Sequence, residues 1–156
     1  MFIPALDGTW IKQKLQKALS DIMAKVSSRV LHRWYLKPIA INRGRPREAL
    51  KQALDEGSDR LNKGLFVLFF PEGTRVEAGQ INRYSRSSFE LALRSNVPVL
   101  PIVHNSGDCW PAHKFLKYPG TIFLTIGKPR KVVDAKESAR EVESWARTSL
   151  KRSLNI

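Results

Sequence analysis

The sequence predicts a single α/β domain, a layer sandwich in which helices cover a mixed sheet. Two observations carry that expectation. Helix-period patterns alternate with short apolar runs of strand length. A chain of 156 residues, 42% hydrophobic and 26% charged, suits one core rather than several and does not read as disordered. It contains no internal repeat and no low-complexity segment.

Residues 10–34 come first. Ile11, Leu15, Ala18, Leu19, Ile22, Val26, Val30 and Trp34 recur on one helical face. Lys12, Lys14, Lys17, Lys25, Arg29 and Arg33 fall mostly off it, and Asp21 is the only acid. This predicts a basic amphipathic helix within a segment, 1–35, that stands apart from the domain at 36–156. Two uses stay open: lying on anionic lipid, or covering the sheet. Residues 37–43, Lys-Pro-Ile-Ala-Ile-Asn-Arg, read as a short strand that turns at Gly44. Pro46 suits the first turn of a helix whose face is Ala49, Leu50, Ala53, Leu54 and Leu61, and Gly64 suits its stop. The continuous apolar run 65–70 reads as a strand covered on both faces. Ser87 and Glu90 have capping-box spacing ahead of Phe89, Ala92 and Leu93. Residues 97–103 and 121–126 read as two further strands. Ser138 and Glu141 repeat the capping-box spacing before Val142, Trp145 and Leu150.

The balance of 27 Lys+Arg against 14 Asp+Glu, net +13, points to an anionic partner: nucleic acid, anionic lipid or a phosphorylated substrate. Nucleic acid is not expected. There is no zinc-finger spacing and no RNA-binding aromatic strand pair, and the basic residues are scattered along the chain. The single Cys109 excludes an internal disulfide and reads as a small, partly buried side chain. No stretch approaches the ~18 apolar residues of a spanning helix, and residues 1–7 lack the pattern of a signal peptide. Membrane attachment is therefore expected to be peripheral. His104, Asp108, Cys109 and His113 lie close together but match no metal-ligand spacing, so no metal is expected. G-x-S-x-G and Gly-rich nucleotide loops do not occur.

The chemistry concentrates in FPEGTR at 70–75, just past an apolar strand, where α/β sheets bind ligands. Gly73 lets the backbone approach an anion, and Thr74 adds a hydroxyl beside N–H groups that can form an anion-binding concavity. Arg75 offers a fork of donors that fits a phosphate, and Glu72 is placed to orient Arg75 or to accept a substrate hydroxyl. From the residues alone, a plain strand-to-loop turn with a local Glu72–Arg75 pair is an equal reading.

FPEGTR resembles the third motif of the glycerolipid acyltransferases, the family that contains the 1-acylglycerol-3-phosphate acyltransferases. Residues 37–43 resemble its second motif, a short strand ending in a basic residue. Val97-Pro-Val-Leu-Pro-Ile-Val103 resembles its fourth, and His104-Asn-Ser-Gly with Trp110-Pro111 resembles a bacterial branch. The likeness runs from Leu36 to about Lys128. It implies a glycerol-3-phosphate acyltransferase-like fold and transfer of an acyl chain to lysophosphatidate. The donor would be acyl-coenzyme A or acyl carrier protein, with no other cofactor. It implies that Arg43 and Arg75 clamp the substrate phosphate and that Gly73 and Thr74 line the same pocket with Glu72 beside it. Val97, Pro98 and Pro101 would border the acyl chain, although a core strand explains them as well. The likeness also implies a peripheral place on an anionic membrane surface, at the cytoplasmic face of the inner membrane.

One feature departs from the family. Its first motif is a His, four spacer residues and an acid, the His being the general base. Here Lys37 stands five positions after His32, Cys109 after His104 and Tyr118 after His113. The base is therefore unassigned, Glu72 is left at most a supporting role, and the domain is expected to be incomplete on its N-terminal side. An inactive fragment that still binds phosphate or membrane is the first alternative, and a basic nucleic-acid-binding protein the second. Should a base reside among these residues, His104 is the candidate, with Asp108 nearby.

Overall fold

The computed structural model describes residues 38–42 and 44–154, with side chains as far as 152. The predicted helix at 10–34 lies outside the described residues.

Helix α1, Pro46–Asn62, follows the expected punctuation. Pro46 supplies a pre-set φ where a missing N–H costs nothing. At the other end Gly64 sits at φ 71, the Gly64 N–H donates to the Leu61 carbonyl (3.0 Å) and the Leu65 N–H to that of Arg60 (3.0 Å). That paired closure satisfies the last carbonyls and needs a left-handed residue. Helix α2, Ser87–Arg94, begins at the expected serine. The capping box does not form: Arg86 is the cap residue, and Ser87 Oγ bonds Ser85 Oγ at 2.6 Å instead. Helix α3, Ser106–Cys109, is a single turn that the patterning did not mark. Helix α4, Ala135–Leu154, starts earlier than the Ser138/Glu141 spacing implied. The Asp134 carboxylate accepts the Glu137 N–H at 2.6 Å and so caps the helix itself.

Among the described residues the sheet has two strands, β1 (Ile102–His104) and β2 (Leu124–Ile126), paired antiparallel with Ile102 opposite Ile126. Among the described residues the larger mixed sheet covered by helices that the sequence predicts is not formed. Residues 38–42 carry no strand, and in 65–70 only Val67 makes a bridge. In the second segment Val67 is buried and Phe69 packs on the core, while Leu68 and Phe70 face outward, so only one face is covered. The strand at 97–103 is cut short because Pro98 and Pro101 have no N–H to donate. Val99 still exchanges both backbone bonds with Arg130, each 2.8 Å. Three steps from Val99 to Ile102 then face four from Arg130 to Ile126, so one residue bulges near Gly127. Beyond β1 the Asn105 side chain continues the pairing, accepting the Phe123 N–H (2.7 Å) and donating to the Thr121 carbonyl (3.2 Å).

Two apolar clusters hold this frame. Leu54 and Leu61 of α1, Phe89, Leu91 and Ala92 of α2, and Ala135, Ala139 and Val142 of α4 close on Val67, Val99 and Val132. Ile81, Val103, Ala146 and Leu150 form the second cluster, with Trp145 against it. Tyr84 packs on both. Helix α4 is thus the common wall, touching α2 and β1.

Candidate functional site

The FPEGTR segment opens a long excursion, 71–85, that leaves the core and returns to α2. The turn begins where the Gly73 N–H reaches the Phe70 carbonyl at 3.2 Å, with Gly73 at φ 70. An added Cβ there would meet nothing within 4 Å, so glycine is required by backbone conformation and not by crowding. The open space above it suits close approach by a ligand.

Four contacts tie the excursion down. The Ser85 N–H donates to the Pro71 carbonyl at 2.8 Å and closes its base. Glu72 Oε2 accepts the Asn82 N–H at 3.0 Å and ties its two arms together. Ile81 buries itself in the second cluster. The Tyr84 N–H donates to Glu143 Oε2 on α4 at 3.0 Å. On the other side Ala78 lies against Gly107 of α3, where an added Cβ would come within 3.3 Å of the Ala78 Cα. The tip, Gly73, Thr74 and Arg75, stays exposed between these supports. Among the described residues Arg75 forms no ion pair. The Glu72–Arg75 pair considered from the sequence is therefore not made, because the Glu72 carboxylate is turned back toward Asn82.

Glu143 is the hub of the support. Its Oε1 accepts from Arg147 Nε (3.1 Å) and NH2 (2.9 Å) while Oε2 holds Tyr84. Partial burial pushes its carboxyl up, but the Tyr84 N–H, the bonded Arg147 and the charge of Arg83 outweigh that and leave it below the ordinary carboxylate range. The Tyr84 phenol moves the other way, up to about 12, through burial first and then the nearby Glu72 and Glu143 charges. Sequence spacing gave no signal for Asn82, Tyr84, Ser85 or Glu143.

Arg43 lies outside the described residues. The turn after it does form: the Arg45 N–H reaches the Asn42 carbonyl (3.2 Å) and the Gly44 N–H reaches Asn42 Oδ1 (3.0 Å). Val97 packs on the main core, Pro98 is half-buried and Pro101 is buried against Gly127. His104 ends β1, and its Nδ1 faces Ser106 Oγ at 2.8 Å and accepts the Ser106 N–H at 3.3 Å. Asp108 instead accepts from Asn105 Nδ2 at 3.1 Å, so the two make no acid–imidazole pair. Cys109 is half-buried beside Gly120. Among the described residues no His, Cys, Asp and Glu side chains gather as a metal site. Two open grooves of about 460 and 740 Å³ follow α4, both lined by Arg130, Trp145, Ser149 and Arg152, and the 71–75 loop borders neither.

Comparison with known proteins matches residues 8–105 to the acyltransferase family, starting upstream of Leu36, where the motif likeness begins. The 1-acyl-sn-glycerol-3-phosphate acyltransferase of Pseudomonas aeruginosa is 45% identical over 118 residues, which are 70% of this chain and 45% of that protein. The human 1-acyl-sn-glycerol-3-phosphate acyltransferase beta is 35% identical over 66 residues, 42% of this chain and 24% of that one. The crystal structure of the 1-acyl-sn-glycerophosphate (LPA) acyltransferase from Thermotoga maritima superposes with a TM-score of 0.60 and 28% identity, over 64% of this chain and 43% of that chain. The chain thus spans less than half the length of these relatives. With more than half of its residues inside the family match and its FPEGTR loop set on a frame like that of a solved member, the chain belongs to the acyltransferase family.

Proposed function

We propose that this chain serves the transfer of an acyl group from an acyl thioester to the free hydroxyl of lysophosphatidate, and that the 71–75 loop holds the phosphate of the acceptor. The donor is acyl-coenzyme A or acyl carrier protein, and the products are phosphatidate and the free thiol. The observation that carries the reading is the exposed Gly73-Thr74-Arg75 tip held between fixed supports, with a guanidinium that no acid of the described residues neutralises. A phosphate dianion meets backbone N–H groups, a hydroxyl and a bidentate donor there, and charge-assisted bonds of this kind both anchor and orient it. Arg43 is the second cation of the clamp in this reading, and Glu72 shapes the loop from below. Val97 and Pro98, half-buried, are the positions where an acyl chain would border the frame, with Pro101 behind them.

The acceptor is a lipid, so the reading includes a peripheral place on the cytoplasmic face of an anionic membrane. Among the described residues no helix is long and apolar enough to cross one. Thermal melting in the presence of glycerol 3-phosphate or lysophosphatidate tests the site. A ligand at about one hundred times its Kd adds about 2.7 kcal/mol to the folded state. Arg75→Ala should abolish the resulting rise in Tm and Arg43→Ala should weaken it. If both variants shift like the parent, the pocket is elsewhere.

A further inference from the structure

We propose that the loop from Cys109 to Tyr118 is a lipid-docking element whose tip enters the surface of an anionic bilayer. The inference rests on the peripheral-membrane part of the function proposed above and gives that attachment a surface.

The loop is built to present its tip. The Tyr118 N–H donates to the Cys109 carbonyl at 2.7 Å and draws the two ends together, and the Trp110 N–H donates to the Ser106 carbonyl of α3 at 2.9 Å. Gly120 lies against the Cys109 sulfur, so close that an added Cβ would come within 2.9 Å of it. His113 takes a left-handed backbone, φ 59, and turns the chain outward. Compact surface loops with closed ends of this kind are often functional. At the tip Phe115 is 97% exposed and Leu116 64%, with Trp110 at 51% and Tyr118 at 49% around the base. A Phe that touches almost nothing adds nothing to the fold, and beside an exposed Leu it makes an apolar point.

Charge selects the occupant. Lys114 and Lys117 flank the point, and the Lys117 ammonium lies 4.1 Å from the centroid of the Trp110 ring. From Cys109 to Val133 the sequence holds no Asp or Glu, yet it holds Lys114, Lys117, Lys128, Arg130 and Lys131. An apolar tip flanked by Lys114 and Lys117, in a stretch of sequence without an acid, suits a surface that offers hydrocarbon beneath phosphate. Trp and Tyr settle at that depth, and lysine stems lie along apolar surface with the ammonium in the headgroups. A second copy of a chain carrying a net +13 would bring like charge to this face.

The test is co-sedimentation of the 156-residue chain with phosphatidylglycerol/phosphatidylcholine vesicles and with phosphatidylcholine alone, at low and high salt. The parent should bind the anionic vesicles and release them as salt rises. Phe115→Ser with Leu116→Ser should weaken binding about ten-fold or more, and Lys114→Ala with Lys117→Ala should cost roughly five-fold per lysine at low salt. Both double variants should keep the parent melting temperature and the Arg75-dependent response to lysophosphatidate. If the parent binds anionic vesicles and both variants bind equally well, the membrane reading stands and the loop assignment falls. No binding by the parent at low salt overturns both. If the Phe115/Leu116 variant instead dissociates a dimer in sedimentation velocity and still binds lipid like the parent, the loop is a self-interface and the proposal is wrong.

Discussion

Replacing Glu143 by Ala removes three hydrogen bonds in one step, two from Arg147 and one from the Tyr84 N–H. The terms differ in size. The Arg147–Glu143 pair lies one helical turn apart, with nearly half of the Arg147 side chain in water, so its net worth is about 0.2–1 kcal/mol. The Tyr84 N–H is partly buried and would lose its partner, a cost of about 1–2 kcal/mol. The sum is about 2 kcal/mol, or a fall in Tm of roughly 4–8 °C for a domain of this size. Glu143→Gln keeps an acceptor for Tyr84 and should lose only the ionic part, less than about 1 kcal/mol. Because Tyr84 closes the 71–85 excursion, the alanine variant should also lose much of the Tm rise produced by lysophosphatidate while the glutamine variant retains it. Differential scanning calorimetry of the three proteins with and without ligand reads both effects. An alanine variant that melts within about 2 °C of the parent would falsify the pinning of the loop by α4.

The same residues set the pH profile. The Glu143 carboxyl is lowered below its ordinary 4.5, so the stability it contributes is present above that value and is lost as pH falls through its folded pKa; Glu143→Gln should flatten this acid limb in urea melts. The Tyr84 phenol is raised from 10.0 to about 12, so its contribution is intact below pH 10 and is lost as pH rises from there to about 12, an alkaline limb that Tyr84→Phe should remove. Gly127→Ala should cost about 1–3 kcal/mol in chemical denaturation, since the new Cβ would come within 2.8 Å of two rigid rings, those of Pro101 and Trp145; a neutral result would mean that the bulge moves freely. Acyl transfer from radiolabelled acyl-coenzyme A to lysophosphatidate by the 156 residues alone should be near background, because no His here is followed five positions on by an acid and a positioned base is worth about 10²–10⁴-fold. Robust turnover that His104→Ala abolishes would place the base at His104 despite its missing acid partner.

The helices were legible where punctuation was local. Pro46 and Gly64 bracket α1 because a fixed φ and a positive φ act within a residue or two. The start of α4 was also written locally, as Asp134 three residues before Glu137, but the Ser138 and Glu141 spacing competes with it and only the observed bond decides. The strands were less legible. An apolar run such as 65–70 states that burial is wanted and not on which face or against what, and in the structure Val67 and Phe69 find the core while Leu68 and Phe70 do not. For 97–103 the two prolines that make the motif recognisable are the residues that break its ladder.

The candidate site divides along the same line. The chemistry proposed for it is contiguous, so six residues sufficed to nominate it. Its rigidity is long-range: the bond from Tyr84 to Glu143 joins positions 59 apart, and no periodicity links them. Glu72 shows how the division misleads. Three residues before Arg75 it reads as that residue's ion-pair partner, but a carboxylate that accepts a backbone N–H ten positions away stabilises the turn and leaves the guanidinium without an acid partner among the described residues. For a phosphate ligand that arrangement is the stronger one, because an acid bonded to Arg75 would compete with the substrate for the same donors. Glu72→Ala should therefore weaken phosphate binding by loosening the loop and not by removing a contact. Glu72→Gln, which keeps the acceptor for Asn82, should bind glycerol 3-phosphate at least as well as the parent in calorimetric titration. If both substitutions weaken binding equally, the Glu72 charge itself takes part and the tethering role assigned to it is wrong.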